Sequence, residues 1–325
     1  MQFITLDRVK IKANNKYLLG QQIKFNEDYD HRSRMLKGEF YSSKADANIP
    51  YNLYIATSKP KQTLTIEFSS KILQDDYPKL ISKSNIRDCL QRVNQLGICQ
   101  IDVEGILSTG CITSMDVTTD VDLQLTPKVL NALNERVGNY RRYRWEHYES
   151  EGISFTRDVK SRDCKETLIV YNKSKELQRT ENVPFLNSLS NKAQVLDYFI
   201  GKTRFELSLN TTRKIKRYTE VEDTYIWDVL NTKTNPLVKV FDNIFGNVEA
   251  CTDTKPQDYD TFMMGLLLAQ YDNDLKTIEQ TIKGFFKSHN GLIKRMNKIQ
   301  TLLADRETSI GRQGNILQNV RDLLV

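Results

Sequence analysis

A chain of 325 residues, of which 27% are charged and 9% aromatic, is long enough to bury a core, and this composition excludes wholesale disorder. The 47 Lys and Arg residues exceed the 41 Asp and Glu residues by six. This modest positive net charge is compatible with a nucleic-acid partner but does not require one. Its five cysteines include no Cys-x-x-Cys spacing, which favours reduced thiols over disulfides or a zinc site. No apolar run is long enough to span a bilayer and no signal-peptide pattern is visible, so we expect a soluble, cytoplasmic protein.

The first part of the chain has the pattern of β-strands. Apolar and polar residues alternate loosely over Phe3–Ile11 and cleanly over Gln62–Phe68, and this period of two predicts half-buried strands. A helix is expected next, with Ser84 as its N-cap and Gly97 at its end. Its apolar positions have helical spacing: Ile86, Cys89, Leu90 and Val93.

A long strand is predicted over Cys111–Leu123, with apolar side chains on one face and hydroxyls and carboxylates, including Asp116 and Asp120, on the other. The pair Thr126-Pro127 then predicts the start of a second helix, because a hydroxyl cap precedes proline at the first helical position. Two passages of strand followed by helix favour an α+β fold in which helices cover one face of an antiparallel sheet.

Two further alternating segments, Thr167–Glu176 and Lys202–Leu209, carry the most reactive set of side chains. In the second segment the apolar residues share one face while Arg204, Glu206 and Ser208 share the other. In the first segment Tyr171 and Lys173 point the same way. A tyrosine can attack phosphorus as a nucleophile if its phenol is activated, and a neighbouring Lys173 ammonium is expected to favour the phenolate. The alternative is a tyrosine with its ring in the core and its hydroxyl at the rim.

After Tyr218 the pattern becomes helical. We place a domain boundary after residue 222, which gives a β-sheet domain over residues 1–222 and a helical domain for DNA binding or assembly over residues 223–325. The predicted helices are Tyr225–Leu230, Leu237–Phe245, Tyr259–Gln270, Leu275–Lys287 and Leu292–Leu303, with a connection over Gly246–Gln257.

Glu67, Asp116 and Glu206 each lie on the polar side of an alternating strand. Carboxylate oxygens are natural ligands for Mg²⁺ or Mn²⁺, which need few protein carboxylates beside water and phosphate. Asp116 and Asp120 would be about 13 Å apart along one strand, so an ion would have to be shared between strands. We interpret Asp120 and Asp122 as solvated or bonded to loops. Each of these acids can also be an ordinary exposed strand residue.

Basic residues cluster with aromatic ones in two places. The first cluster surrounds Tyr140, Tyr143 and Trp145 and the second precedes Tyr218, a composition that suits phosphate neutralisation and base stacking on single strands. Helix ends and solvated helix faces explain such clusters equally well. The clustered basic residues are Arg136, Arg141, Arg142, Arg144, Arg213, Lys214, Lys216 and Arg217, and Lys283, Lys287, Lys294, Arg295 and Lys298 form a third, helical stretch.

Several classes of DNA enzyme are excluded by missing motifs. The three histidines are isolated, so the His-x-His metal site of one widespread nickase class is absent. The Arg…His-x-x-Arg…Tyr set of tyrosine recombinases is absent too. Without a glycine-rich phosphate loop, an ATP-driven helicase is not expected.

Four segments together resemble the replication-initiator nickases of filamentous phages and, more distantly, the plasmid rolling-circle initiators of the Rep_trans type. They are Leu64–Gln74, Ile112–Val117, Thr167–Leu177 and Gly201–Leu207, in the family's order. The most specific parts are Tyr-x-Lys-x-x-Glu and Arg-Phe-Glu. Where such proteins usually have Arg-Ile-Asp, this chain has Ser114-Met-Asp, so the role of that arginine must be met elsewhere, with Arg204 as the candidate.

The resemblance implies a metal-dependent endonuclease and strand transferase that starts rolling-circle replication in a bacterial host. Tyr171 would cut one strand at an origin, assisted by Lys173, and later rejoin the ends. Asp116 and Glu206, with Glu67 as a weaker choice, would hold Mg²⁺ or Mn²⁺. Arg204 and the basic clusters would contact origin DNA, duplex and single-stranded. A host helicase and polymerase are implied, and a homodimer is left open.

Two other functions stay open from the sequence. A non-enzymatic origin-binding or regulatory protein could use the same fold, with the helical domain reading duplex DNA, and nicking of an origin plasmid separates it from the nickase. A structural or interaction protein would make the spacing of Tyr171, Lys173 and Glu206 a coincidence.

Overall fold

The structure, a computed structural model, describes residues 4–30, 32–135, 137–139, 141–148, 151–157, 166–246, 258–309 and 314–325. These residues form two compact units. The first contains the described residues up to Gln124 and from Glu166 to Lys239, and the second those from Leu125 to Arg157 and from Val240 onwards. The predicted connection after Gly246 and the predicted roles of Arg136 and Tyr140 lie outside the described residues.

The strands and helices alternate along the chain. The strands are β1 (Leu6–Asn14), β2 (Leu18–Gln21), β3 (Asn26–Tyr29), β4 (Leu36–Ser42), β5 (Leu53–Ser58), β6 (Thr63–Ser69), β7 (Cys99–Ile101), β8 (Cys111–Val121), β9 (Tyr143–Tyr148), β10 (Gly152–Arg157), β11 (Glu166–Asn172) and β12 (Thr203–Leu209). The helices are α1 (Ile86–Gln95), α2 (Val103–Thr109), α3 (Pro127–Glu135), α4 (Lys173–Leu177), α5 (Val183–Ser188), α6 (Lys192–Tyr198), α7 (Thr212–Thr219), α8 (Ile226–Leu230), α9 (Pro236–Phe245), α10 (Tyr259–Gln270), α11 (Leu275–Ile282), α12 (His289–Ser309) and α13 (Gly314–Leu323).

The first unit is built on an antiparallel sheet with the strand order β3-β4-β5-β6-β1-β8-β12-β11. Strands β2 and β7 pair separately. The alternation read in the sequence gives the sheet one apolar face, on which Val9, Ile66 and Leu207 are buried. Helix α7 covers this face, since its Lys214 ammonium pairs at 3.0 Å with Glu166, which shares that face with the β11 core residues.

The opposite face is polar and is covered in part by short helical segments. Tyr77, in the 3₁₀ segment Ser70–Lys79, packs edge-on against Phe185 and at a tilt against Phe199, with ring centroids 5.4 and 5.6 Å apart. The α+β fold with an antiparallel sheet is therefore confirmed. Short helices also pack on the second face, which the sequence pattern did not predict because these segments are too short to show a helical period.

The predicted helices and strands are largely confirmed, with shifts at their ends, except that the strand predicted over Thr167–Glu176 ends at Asn172 and helix α4 follows it. Helix α1 follows an N-cap at Asn85 rather than Ser84, and the Asn85 amide instead stabilises the preceding turn, accepting from the Ser82 backbone and donating to Leu80. Gly97 follows the helix with a left-handed φ of 70°, as its predicted role at the helix end requires. The thiols of Cys89, Cys99 and Cys111 are free of disulfides.

The second unit differs from the predicted helical domain. It takes in the described residues from Leu125 to Arg157, while helix α8, which follows the predicted boundary, belongs to the first unit. Phe155 of β10 packs edge-on against Phe245 at 5.2 Å, which ties the β9–β10 hairpin to the C-terminal helices. In the other direction, Cys111 bridges to Tyr225, which holds α8 on the sheet. A single boundary after residue 222 is thus not what the packing shows.

Helices α10, α11 and α12 share one apolar core, formed by Met264, Leu268, Leu275, Ile278, Ile282, Leu292, Met296, Ile299 and Leu303. Among the described helices, none combines the length and the apolar character needed to cross a membrane.

Candidate functional site

Tyr171 lies on the polar face of the sheet at the end of β11. The pairing of β11 with β12 sets Tyr171 opposite Arg204 and Ile169 opposite Glu206, so Tyr171 and Glu206 are diagonal neighbours. The Tyr171 hydroxyl donates a hydrogen bond to Oε2 of Glu206 at 3.1 Å. Helix α4 begins directly after the strand with Asn172 as its N-cap, which fixes the position of the phenol.

Burial favours the protonated form of both partners of this hydrogen bond. Burial, together with the nearby carboxylates of Asp7 and Asp116, raises the pKa of Glu206 to about 7. Burial and the Glu206 charge raise the pKa of Tyr171 well above its usual 10. The phenol is therefore neutral at rest, and it can become a nucleophile by passing its proton to Glu206 once that carboxyl is ionised.

Lys173 does not lie on the predicted strand beside Tyr171 but is the first residue of helix α4. Its ammonium is almost fully buried and pairs with Glu176 at 2.5 Å, while it lies 5.4 Å from the Tyr77 ring centroid and 5.6 Å from the Tyr171 ring centroid. The pKa of Tyr171 is raised rather than lowered in this setting. Burial and Glu206 raise that pKa, so the effect of Lys173 on the phenol stays a prediction.

Arg204 is completely buried and fully engaged. It donates to both carboxylate oxygens of Asp120 at 2.7 Å, to Asp7 at 3.1 Å and to the Tyr77 hydroxyl at 3.0 Å. Its guanidinium also stacks on Phe199. This contradicts the predicted contact of Arg204 with DNA. It also corrects the interpretation of Asp120, whose side chain is 2% exposed rather than solvated.

The predicted metal ligands are mostly occupied by cations. Arg8 binds Asp116 through both carboxylate oxygens at 2.7 and 3.1 Å, and it binds Glu67 at 2.9 Å. Lys10 forms a second ion pair with Glu67 at 2.8 Å. Burial by itself would raise the pKa of Glu67, but Lys10 and Arg8 together lower it. Within the described residues no three or more His, Cys, Asp and Glu side chains are grouped so that they could hold a metal ion. The predicted set with Glu67 is therefore not assembled.

A smaller site is compatible with the geometry. Mg²⁺ commonly uses one or two protein carboxylates and completes its shell with water and substrate phosphate. Burial, with the charges of Asp7 and Asp116, raises the pKa of Glu206, and a divalent cation beside these carboxylates would favour their ionised forms. Asp116 is the better candidate ligand, because Glu206 accepts the hydrogen bond from Tyr171 and Glu67 is paired with both Arg8 and Lys10.

Arg8 could also replace the arginine that this chain lacks at Ser114 in the resemblance described above. Its guanidinium donates to the Ser114 hydroxyl at 3.1 Å while it holds Asp116. Ser114 occupies the position where the similar proteins usually have arginine, and Arg8 of β1 brings a guanidinium to the same place beside Asp116. Arg8 is therefore a better candidate than Arg204 for the role of that arginine.

The predicted DNA-binding residues divide into two groups. Lys214 is buried against Glu166, which contradicts a contact with DNA. The remaining residues are exposed, and some have partners: Lys216 pairs with Asp223 at 3.0 Å and Arg141 with Glu279 at 2.6 Å. The exposed set is Arg141, Arg142, Arg213, Lys216 and Arg217.

Three important residues were missed by sequence reasoning: Asp7, Arg8 and Tyr77. A register shift in β1 sets Leu6 opposite Val117 and Arg8 opposite Asp116, which leaves Asp7 unmatched. Asp7 and Arg8 consequently both contact polar-face residues although they are consecutive. The loose alternation of this strand was a signal of a bulge, whereas nothing in the irregular segment around Tyr77 indicated its place.

Comparisons with known proteins add no assignment to this geometry. No protein-family description matches the chain, and no characterised protein matches it with significance.

Proposed function

We propose that this chain is a metal-dependent tyrosine endonuclease and strand transferase that nicks one DNA strand at an origin and so starts rolling-circle replication. The observation that carries the proposal is the hydrogen bond from the Tyr171 hydroxyl to Glu206, a carboxyl whose pKa lies at about 7 beside Asp116. A phenol bonded to a base that titrates near neutral pH is suited to nucleophilic attack.

In the proposed reaction Glu206 accepts the Tyr171 proton as the phenolic oxygen attacks phosphorus. A bond forms between that oxygen and the 5′-phosphate, the bond from phosphorus to the 3′-oxygen breaks, and the leaving oxygen takes a proton from solvent. A divalent ion held by Asp116, with water and substrate phosphate completing its shell, would withdraw charge from the non-bridging oxygens. The reverse reaction rejoins the ends without ATP, because the phosphotyrosyl link conserves the bond energy. Host polymerase would extend the 3′-hydroxyl and a host helicase would open the duplex.

The test is covalent capture of the cut DNA. Purified protein is incubated with Mn²⁺ and the supercoiled replicon that carries its gene, and the digested protein is analysed by mass spectrometry. The proposal expects a 5′-nucleotide adduct on the peptide containing Tyr171. Binding of the replicon with no adduct and no relaxed circles would instead identify a non-enzymatic origin-binding protein.

Replacing Glu206 by Gln should separate activity from stability. The rate of nicking by the wild type is expected to rise about tenfold per pH unit below about 7 and to level off above it. Glu206→Gln should lose that rise and most of the activity. Glu67→Gln, which removes a carboxylate of the same face, should keep the wild-type profile. An unchanged profile in Glu206→Gln would remove the residue from the reaction.

The same substitution should stabilise the folded state at high pH in EDTA. The folded-state pKa of about 7 lies above the ordinary 4.5, so the folded protein retains a proton that the unfolded chain has lost between these values, and stability falls as pH rises through this window. Gln has no such loss, and we expect a gain on the order of 2 kcal/mol at pH 8, measured by urea unfolding. A loss of stability at pH 8 would contradict the burial of this charge.

Asp116→Asn should weaken metal binding while Glu67→Gln should not. Asp116 lies close enough to Glu206 to raise its pKa and pairs with Arg8, whereas Glu67 is paired with both Arg8 and Lys10. We expect the Mn²⁺ dissociation constant of Asp116→Asn, measured by titration calorimetry, to rise roughly tenfold or more. Equal affinities of the wild type and Asp116→Asn would mean that Asp116 is not a ligand.

A further inference from the structure

The second unit contains a groove of about 790 Å³ between the start of β9 and helices α11 and α12. This volume is within the range of roughly 300–1,000 Å³ that is typical of ligand sites. All of its lining residues belong to the second unit, so the groove does not depend on the tyrosine site.

The lining of the groove is rich in cations drawn from different elements. Arg141, Arg144, Lys276 and Lys283 all line it, against two carboxylates. One carboxylate, Glu279, is engaged by Arg141 through two hydrogen bonds of 3.3 and 2.6 Å. Like charges brought together by folding repel one another, and an anionic occupant would offset that repulsion.

The two lysines are the side chains best placed to receive such an occupant. Lys276 and Lys283 are both exposed. Among the residues that the structure describes, neither ammonium group has an ion-pair or hydrogen-bond partner. Both lysines can therefore bind phosphate without breaking an existing pair.

The groove also contains an oriented aromatic ring. Trp145 is half-buried among the lining residues, and its indole N–H donates to Asn134 Oδ1 at 2.7 Å. With its polar atom satisfied, the ring is held in one orientation at little further entropic cost to a ligand. Cations beside a fixed aromatic ring match the alternation of phosphates and bases in single-stranded nucleic acid.

We propose that this groove binds single-stranded DNA, with Lys276 and Lys283 on phosphates and Trp145 stacked on a base. Duplex DNA fits less well, since its bases are already stacked on one another and cannot reach the indole. The choice of DNA as the nucleic acid rests on the proposed nicking function, whereas the groove itself does not.

The experiment measures binding of a fluorescein-labelled oligothymidylate to the full chain carrying Tyr171→Phe, so that cleavage cannot interfere. Lys276→Glu with Lys283→Glu should weaken binding roughly tenfold or more at 0.1 M salt and flatten the log–log salt dependence by about 1.4 units, at about 0.7 per phosphate contact. The matched control is Lys59→Glu with Lys61→Glu, which makes the same change in net charge on exposed lysines that do not line the groove. This control should bind within about twofold of the parent.

The stacking contact has its own readout. The chain has two tryptophans, so Trp227→Phe leaves Trp145 as the only source of indole fluorescence. Unlabelled oligothymidylate should quench that fluorescence in the parent and should need a roughly tenfold or higher concentration to do so in the Lys276 and Lys283 variant, whose melting temperature should match the parent's.

Three results would overturn the proposal: equal weakening by both lysine pairs, no quenching of Trp145 at saturating oligothymidylate, or competition by thymidine monophosphate as strong as by the oligonucleotide at equal nucleotide concentration. The last would identify a nucleotide pocket. If groove binding holds but no adduct forms on Tyr171, only the nicking function falls.

Discussion

Tyr171→Phe should abolish nicking while leaving the protein folded and able to bind DNA. The substitution removes the oxygen that would attack phosphorus but keeps the ring that packs near Lys173. Loss of the single hydrogen bond to Glu206 should change the free energy of unfolding by about 1 kcal/mol or less. We expect no covalent adduct and no relaxed circles, with replicon binding kept within a few-fold.

The matched control for this prediction is Tyr198→Phe. Tyr198 is a partly exposed tyrosine of the same unit, at the end of α6, and it should keep full activity. Normal nicking by Tyr171→Phe would remove Tyr171 as the nucleophile, whatever its effect on binding.

Arg204→Met should cause the largest loss of stability of any substitution proposed for this chain. Arg204 neutralises Asp120, which is 2% exposed, and also binds Asp7. Removing the guanidinium leaves buried carboxylates unpaired, which costs roughly 3–5 kcal/mol. Adding Asp120→Asn should recover much of this loss, because the uncompensated charge is then gone.

The pH dependence of this loss has a definite sign. Burial opposes ionisation of Asp7, but Arg204 and neighbouring cations bring its pKa below the usual 3.8. Without Arg204 that pKa should rise, so protonation at lower pH removes the buried charge and the gap between variant and wild type narrows. Urea unfolding at pH 7 and pH 5 measures the gap. The exposed pair of Lys216 and Asp223 is the control, and Lys216→Met should cost less than about 1 kcal/mol. A comparable cost for the two variants would contradict the structural role of Arg204.

The sequence predicted the composition of the polar face well. Strict alternation in β8, β11 and β12 set Asp116, Tyr171 and Glu206 on the side opposite the core residues, and the sheet has them there. Such strands obey a period of two because one face is buried, and a register error would move every apolar residue into solvent. This local constraint is visible without a structure.

The partners of those residues were decided by the tertiary structure. An alternating pattern shows which face a side chain occupies but not which strand lies beside it, so Arg8 next to Asp116 could not be read from the sequence. Nor could the burial of Arg204 and Lys214, since an arginine or lysine on a polar face looks the same whether it meets solvent or a carboxylate.

The division of the chain into units shows the same limit on a larger scale. By itself the sequence determined the long, clearly periodic segments, such as β6, β8, β12 and α10, because hydrophobic period and caps are local properties, but it did not reveal the short helices on the polar face. Only the tertiary structure decided that residues 125–157 join the C-terminal helices, since that grouping depends on contacts such as Phe155 with Phe245 between residues far apart in the chain. The physical reason is that any apolar face can be buried against any other, and the choice is made by shape and packing in the folded protein.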